Sequence, residues 1–153
     1  MSKQTETMLL FIEKCSDPKK LRQLAKNADE QGESALAQAA RRKLYSILPS
    51  DEPGTIEYAV WQSIYALEDV LKQERGKTIM LSRTRQKIGR QGVVPCVADL
   101  VLGSASDGFR MLLEREMLEL SFEAIALRFP EKFDVEVLAA ARARLTEASF
   151  PVE

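Results

Sequence analysis

IEYAVWQSIYALEDVLKQE, residues 56–74, decides the fold. Ile56, Val60, Ile64, Leu67 and Leu71 recur at helical spacing and form one apolar stripe. Tyr58, Trp61 and Tyr65 form a second stripe beside it. An apolar surface that wide belongs to a central helix buried on more than one side. Thr55 stands where an N-cap is needed, and Gly76 follows where a helix ends.

Working outward, every other segment also reads as helix. On the N-terminal side, Pro49-Ser50-Asp51-Glu52-Pro53-Gly54 is the clearest loop of the chain. Before it, three helices are expected, over about 3–14, 18–30 and 33–48. Met8, Leu9 and Ile12 should face inward on the first, with Ser16-Asp17-Pro18 as a stop and restart. On the third, Leu36, Ala40, Leu44, Ile47 and Leu48 share one face. Residues 18–49 resemble a tetratricopeptide hairpin. Leu21, Leu24, Ala25, Ala28, Gly32, Ala37, Leu44 and Pro49 stand where that repeat wants apolar, small, glycine and proline residues. The pattern departs at Arg41, where the repeat wants a large apolar residue, and at Ala28, where it favours tyrosine. One unit matches, and such repeats need about three to bury a common core.

On the C-terminal side, after Gly76, a basic helix is expected to about residue 90, with Ser82 offered as an inner start, then a short helix opened by Pro95. Val93-Val94, between Gly92 and Pro95, is the one β-like pair. Asp107, Ser121 and Asp134 stand as caps of three further helices. These carry Phe109, Leu112 and Leu113; Phe122, Ile125 and Phe129; and Val135, Leu138, Ala139 and Leu145. The expectation is one all-α, multi-helix domain over 1–153, of seven to nine helices joined by short antiparallel connections. The 49–54 loop is the place for a subdomain boundary.

Composition excludes several chemistries. The 153 residues contain no histidine. That removes Ser–His–Asp and Cys–His nucleophiles and every His-ligated metal site. Cys15 and Cys96 cannot make a four-cysteine zinc site or a C-x-x-C redox pair, and read as small core residues. No apolar run is long enough to cross a membrane, and Met8–Ile12 is too short for a signal-peptide core. A cytoplasmic protein with no metal, no cofactor and no membrane association is expected.

The net charge of −1 hides an asymmetry. Residues 1–48 sum to +3, 49–74 to −5, 75–92 to +6 and 93–153 to −5. The basic stretch contains Arg75, Lys77, Arg83, Arg85, Lys87 and Arg90 and no acid. On a helix, Met80, Leu81, Thr84 and Ile88 would face the core, leaving Arg83, Lys87 and Arg90 on one outer stripe. Neighbouring like charges repel by roughly 0.2–0.5 kcal/mol per pair, so the stripe asks for an anion opposite it. A phosphate backbone supplies one. The acids Glu114, Glu116 and Glu119 are an internal alternative.

Other motifs fail on inspection. Gly76-Lys77-Thr78 resembles the end of a phosphate-binding P-loop, but Leu71 stands where the first glycine belongs, and a helix precedes it rather than a strand. A helix-turn-helix over 107–129 would read bases with Glu123 and a single Arg128. A second candidate, the basic helix with the Gly89–Gly92 turn and the Pro95 helix, puts its cations on the backbone-contacting helix. Asp51-Glu52 and Glu68-Asp69 are adjacent pairs whose side chains diverge, which is unsuited to paired-carboxylate catalysis. Trp61 with Tyr58 and Tyr65 is expected in the core rather than as a base-stacking platform. The expected function is a non-catalytic DNA- or other nucleic-acid-binding or regulatory protein, with Arg83, Arg85, Lys87 and Arg90 on phosphates and Lys77 and Arg75 adding field. The competing class is a protein-interaction module or homodimer whose basic stripe meets an acidic surface.

Overall fold

The computed structural model describes residues 2–152. It is all-α: 75% helical, with nine α-helices and no strand among those residues. The chain divides into two compact units, Met1–Ser50 and Asp51–Glu153, with the division inside the Pro49–Gly54 loop.

The first unit holds α1 (Lys3–Lys14), α2 (Pro18–Glu30) and α3 (Ser34–Ile47). Ser2 caps α1 by accepting from the Thr5 N–H at 3.1 Å. Asp17 caps α2 through the Lys19 N–H at 3.0 Å, with Pro18 preset for the first turn. Leu21, Ala25 and Ala28 of α2 are buried, as are Leu36, Ala37, Ala40, Leu44 and Tyr45 of α3. The alanines let the two backbones approach, so α2 and α3 make a tight hairpin. Arg41, the departure from the repeat pattern, reaches across this hairpin to the Asp29 carboxylate. On α1, Ile12 is buried and Met8 and Leu9 are half-buried, while Leu10 and Phe11 are 59% and 47% exposed.

The second unit is built on α4 (Ile56–Arg75). Thr55 Oγ1 accepts from the Tyr58 N–H at 3.2 Å, and Gly76, at φ 72°, supplies the left-handed residue that ends the helix. All five residues of the first stripe are buried, together with Ala59, Ser63, Ala66 and Val70. Around α4 come α5 (Ser82–Gln91), α6 (Val93–Leu102), α7 (Asp107–Glu114), α8 (Phe122–Arg128) and α9 (Val135–Glu147), with 3₁₀ turns at Leu118–Leu120 and Pro130–Lys132. The core joins Ile56, Val60 and Ile64 to Val93, Val97 and Val101 of α6, Ile125 and Ala126 of α8, and Val137 and Ala141 of α9.

Several local expectations need correction. Val93-Val94 opens α6 rather than forming an extended pair; Gly92, at φ 89°, makes the turn from α5. Ser106, not Asp107, caps α7, accepting from the Phe109 N–H at 3.3 Å. On α9 the inward residues are Val137, Ala141 and Leu145, whereas Val135 is 82% exposed and Ala139 is exposed. Both cysteines are buried, and burial pushes the Cys96 thiol above its ordinary range. No helix among the described residues is long and apolar enough to cross a membrane.

Candidate functional site

The basic stretch is not one helix. Gly76 breaks it, the backbone from 76 to 81 is non-helical, and α5 begins only at Ser82. No residue of α5 is fully buried, though Leu81 and Ile88 pack against the core. Met80, expected inside, is 50% exposed.

This geometry sorts the six cations into two groups. Arg85 turns inward: its Nε donates to Glu68 Oε2 at 2.8 Å and its Nη2 to Oε1 at 2.7 Å. Glu68 Oε2 also accepts from the Leu81 N–H at 2.8 Å, so one carboxylate fastens both the non-helical segment and α5 to α4. The guanidinium carbon lies 5.1 Å from the Trp61 ring centroid and 5.9 Å from that of Tyr65. Trp61 packs half-buried against the core, as expected, and with Tyr65 it also lies under a cation. The hydrogen bond to Glu68 holds the Arg85 pKa above its ordinary value. Lys87 Nζ stands 2.8 Å from Asp99 Oδ2 of α6.

Arg75, Lys77, Arg83 and Arg90 form the other group. All four are exposed and make no ion pair among the described residues. Arg83 and Arg90 lie about two turns apart on the same side of α5. The acids expected opposite the stripe are not its partners: Arg85 takes Glu68 and Lys87 takes Asp99, while Glu114 pairs with Arg110 of its own helix.

Neither helix-turn-helix candidate leaves a reading helix free. In α8, Glu123, Ala124, Ile125 and Ala126 are buried. Glu123 is 5% exposed and accepts from Arg144 Nη1 at 2.6 Å. In α6, Val93, Cys96, Val97 and Val101 face the core.

One feature escaped the sequence reading. A cleft of about 610 Å³ opens within the second unit, between α4, α7 and the residues leading into α5. One ridge of α4 runs along it: Ser63, Leu67, Leu71 and Arg75, each four residues after the last. Phe109 and Leu112 of α7 line it as well. Ser63 is fully buried, and its Oγ has no hydrogen-bond partner among the described residues. The available signal was a lone serine inside an apolar helical face, ahead of two leucines and an arginine at the same spacing.

An unpartnered buried hydroxyl costs about 1–3 kcal/mol, and serine is a poorer helix former than alanine. Ser63→Ala is therefore expected to stabilise the Asp51–Glu153 unit by about 1 kcal/mol, raising the Tm of that unit of about 100 residues by roughly 4–8 °C. Thermal unfolding followed by circular dichroism checks this.

No protein-family model matches the chain, and neither a curated protein nor a solved structure matches it.

Proposed function

We propose that the Asp51–Glu153 unit is a non-catalytic binding module that engages the phosphate backbone of a nucleic acid through Arg75, Lys77, Arg83 and Arg90. The observation that carries this reading is the sorting of the cations. Six positive charges stand in one stretch without an acid, and two of them are consumed by Glu68 and Asp99. The remaining four are exposed and have no acidic partner among the described residues. Exposed arginine and lysine give phosphates charge-assisted bonds that position a protein without reading sequence. In this reading Arg85 has structural work and Lys87 is neutralised by Asp99, so both leave the contact set proposed from sequence. The two buried, unlinked thiols suit a reducing cytoplasm.

The test is fluorescence anisotropy of labelled random-sequence DNA of about 25 nucleotides, duplex and single-stranded, at about 50 mM salt. The protein is expected to bind at micromolar concentration. The variant with Arg75, Lys77, Arg83 and Arg90 all changed to Gln is expected to keep its helix content and lose binding. Equal binding by the variant would sink the reading.

A second reading rests on the first unit. Leu10 and Phe11 are adjacent, large and exposed on α1, as suits a contact with a protein partner or a second copy of the chain. Leu10→Ser/Phe11→Ser would then lower the sedimentation mass, or abolish capture of the partner, without changing the fold.

A further inference from the structure

We propose that the cleft of the second unit binds one elongated amphipathic organic anion: an apolar chain with a carboxylate at one end and a hydrogen-bonding group at the other. The α4 ridge carries the argument. Ser63 is buried at one end, Leu67 and Leu71 follow, and Arg75 is exposed at the other end. Three steps of four residues separate the serine from the arginine, roughly 18 Å along the helix axis. Hydrogen-bonding, apolar and cationic groups therefore follow one another along a single line. A ligand with its polar groups at both ends matches that order.

The opposing wall is apolar where the leucines are, with Phe109 and Leu112 buried there. The volume of about 610 Å³ is in the range of small-molecule sites. Ser63 Oγ supplies the second observation, a fully buried polar atom whose hydrogen-bonding capacity no described residue uses. The charges that line the cleft favour an anion. Among the described residues Arg75 and Arg83 have no ion-pair partner, while Asp107 lies 3.7 Å from Arg110 and Glu123 is held by Arg144. The two lining acids thus have cationic partners, and the two lining arginines do not.

The ligand site is separate from the phosphate contacts in Ser63, the leucines and Leu100, and shares with them Arg75 and Arg83. The experiment exploits that difference. Isothermal titration of the full chain uses dodecanoate and dodecanoate hydroxylated at its far end. One-to-one binding of both is expected, the hydroxylated form about 5-fold tighter, the value of one added hydrogen bond. Ser63→Ala should remove that preference and leave dodecanoate binding intact. Arg75→Gln/Arg83→Gln should weaken both by about 10-fold or more. Leu100→Trp, which fills the half-exposed side of the cleft, should abolish both.

None of the cleft-only changes, Ser63→Ala or Leu100→Trp, should alter DNA binding. Lys77→Gln/Arg90→Gln, outside the cleft, should weaken DNA binding and leave dodecanoate binding unchanged. The two readings therefore fail separately. The proposal is overturned if neither chain binds at about 1 mM, which corresponds to about −4 kcal/mol. It is equally overturned if dodecanol binds as tightly as dodecanoate, or if Ser63→Ala keeps the hydroxyl preference. Circular dichroism and Tm confirm that each variant is folded.

Discussion

Arg144→Met is expected to destabilise the Asp51–Glu153 unit by about 3–5 kcal/mol, the cost of leaving a buried charge without its partner. Glu123 is the charge in question. Its side chain is 6% exposed, and Arg144, itself 17% exposed, donates to it from α9 at 2.6 Å. The same guanidinium donates to the Gly103 carbonyl, so one side chain ties α9 to α8 and to the turn after α6. Methionine keeps much of the apolar stem and removes every donor. For a unit of about 100 residues, the loss corresponds to a fall in Tm of at least about 12 °C. Removing both partners should be milder. Glu123→Leu/Arg144→Met is expected to recover most of the loss, because a buried ion pair is often matched by apolar packing of similar volume. Urea unfolding of the two single variants and the double closes the cycle. Additive losses would mean that the pair does not act as a unit.

Glu68→Ala should cost about 2–3 kcal/mol, the worth of hydrogen bonds to a charged group that is largely out of water. Its carboxylate is 11% exposed and accepts three hydrogen bonds, one from the Leu81 backbone and two from Arg85. Arg85 is 28% exposed, so solvent screens part of the Coulomb attraction and the hydrogen bonds carry the estimate. The contrast with Lys87 decides between a structural and a solvated role. Its partner Asp99 is 51% exposed, and Lys87→Gln should change stability by less than about 1 kcal/mol. Urea midpoints separate the two. Glu68→Ala should also raise exchange of the Leu81 amide and quench Trp61 fluorescence differently, because Arg85 loses its fixed place over the ring. Equal, small effects of Glu68→Ala and Lys87→Gln would mean that Arg85 is as free as its neighbours.

The helical class was legible because α4 carries an apolar face too wide and too long for any strand. Its ends were legible as well, since Thr55 and Gly76 are local signals. The face of α9 was not. Ala139, Ala140, Ala141 and Ala143 surround the helix with small residues, so periodicity found Leu138 and Leu145, which do face the core, but added Val135 and Ala139, which face water, in place of Val137 and Ala141. The face of the basic helix was not legible either, for another reason. Gly76, in a left-handed conformation, and Ser82 bound the turn as their residue types suggest, but the turn between them sets which side of α5 meets α4. With the segment re-aimed, Met80 points outward and Arg85 inward. The partner that captures Arg85 stands seventeen residues earlier, on another helix. Spacing within one helix cannot show that pairing; only the fold, which brings Arg85 of α5 to Glu68 of α4, does. The cleft was hidden for the same reason, since its second wall comes from α7.

The division of the cations into two held and four free is tested most directly by the salt dependence of DNA binding. Each phosphate neutralised on a duplex contributes about −0.9 to the slope of log affinity against log salt. Four free cations predict a slope of about −3.6, or roughly a 150-fold loss between 50 and 200 mM salt. Six would give about −5.4. A slope near −3.6 that Arg85→Gln leaves unchanged, and that falls by about 1 with each of Arg75, Lys77, Arg83 and Arg90 changed to Gln, is the expected result. No binding at the lowest salt, or a slope that falls with Arg85→Gln and not with Arg83→Gln, would contradict it.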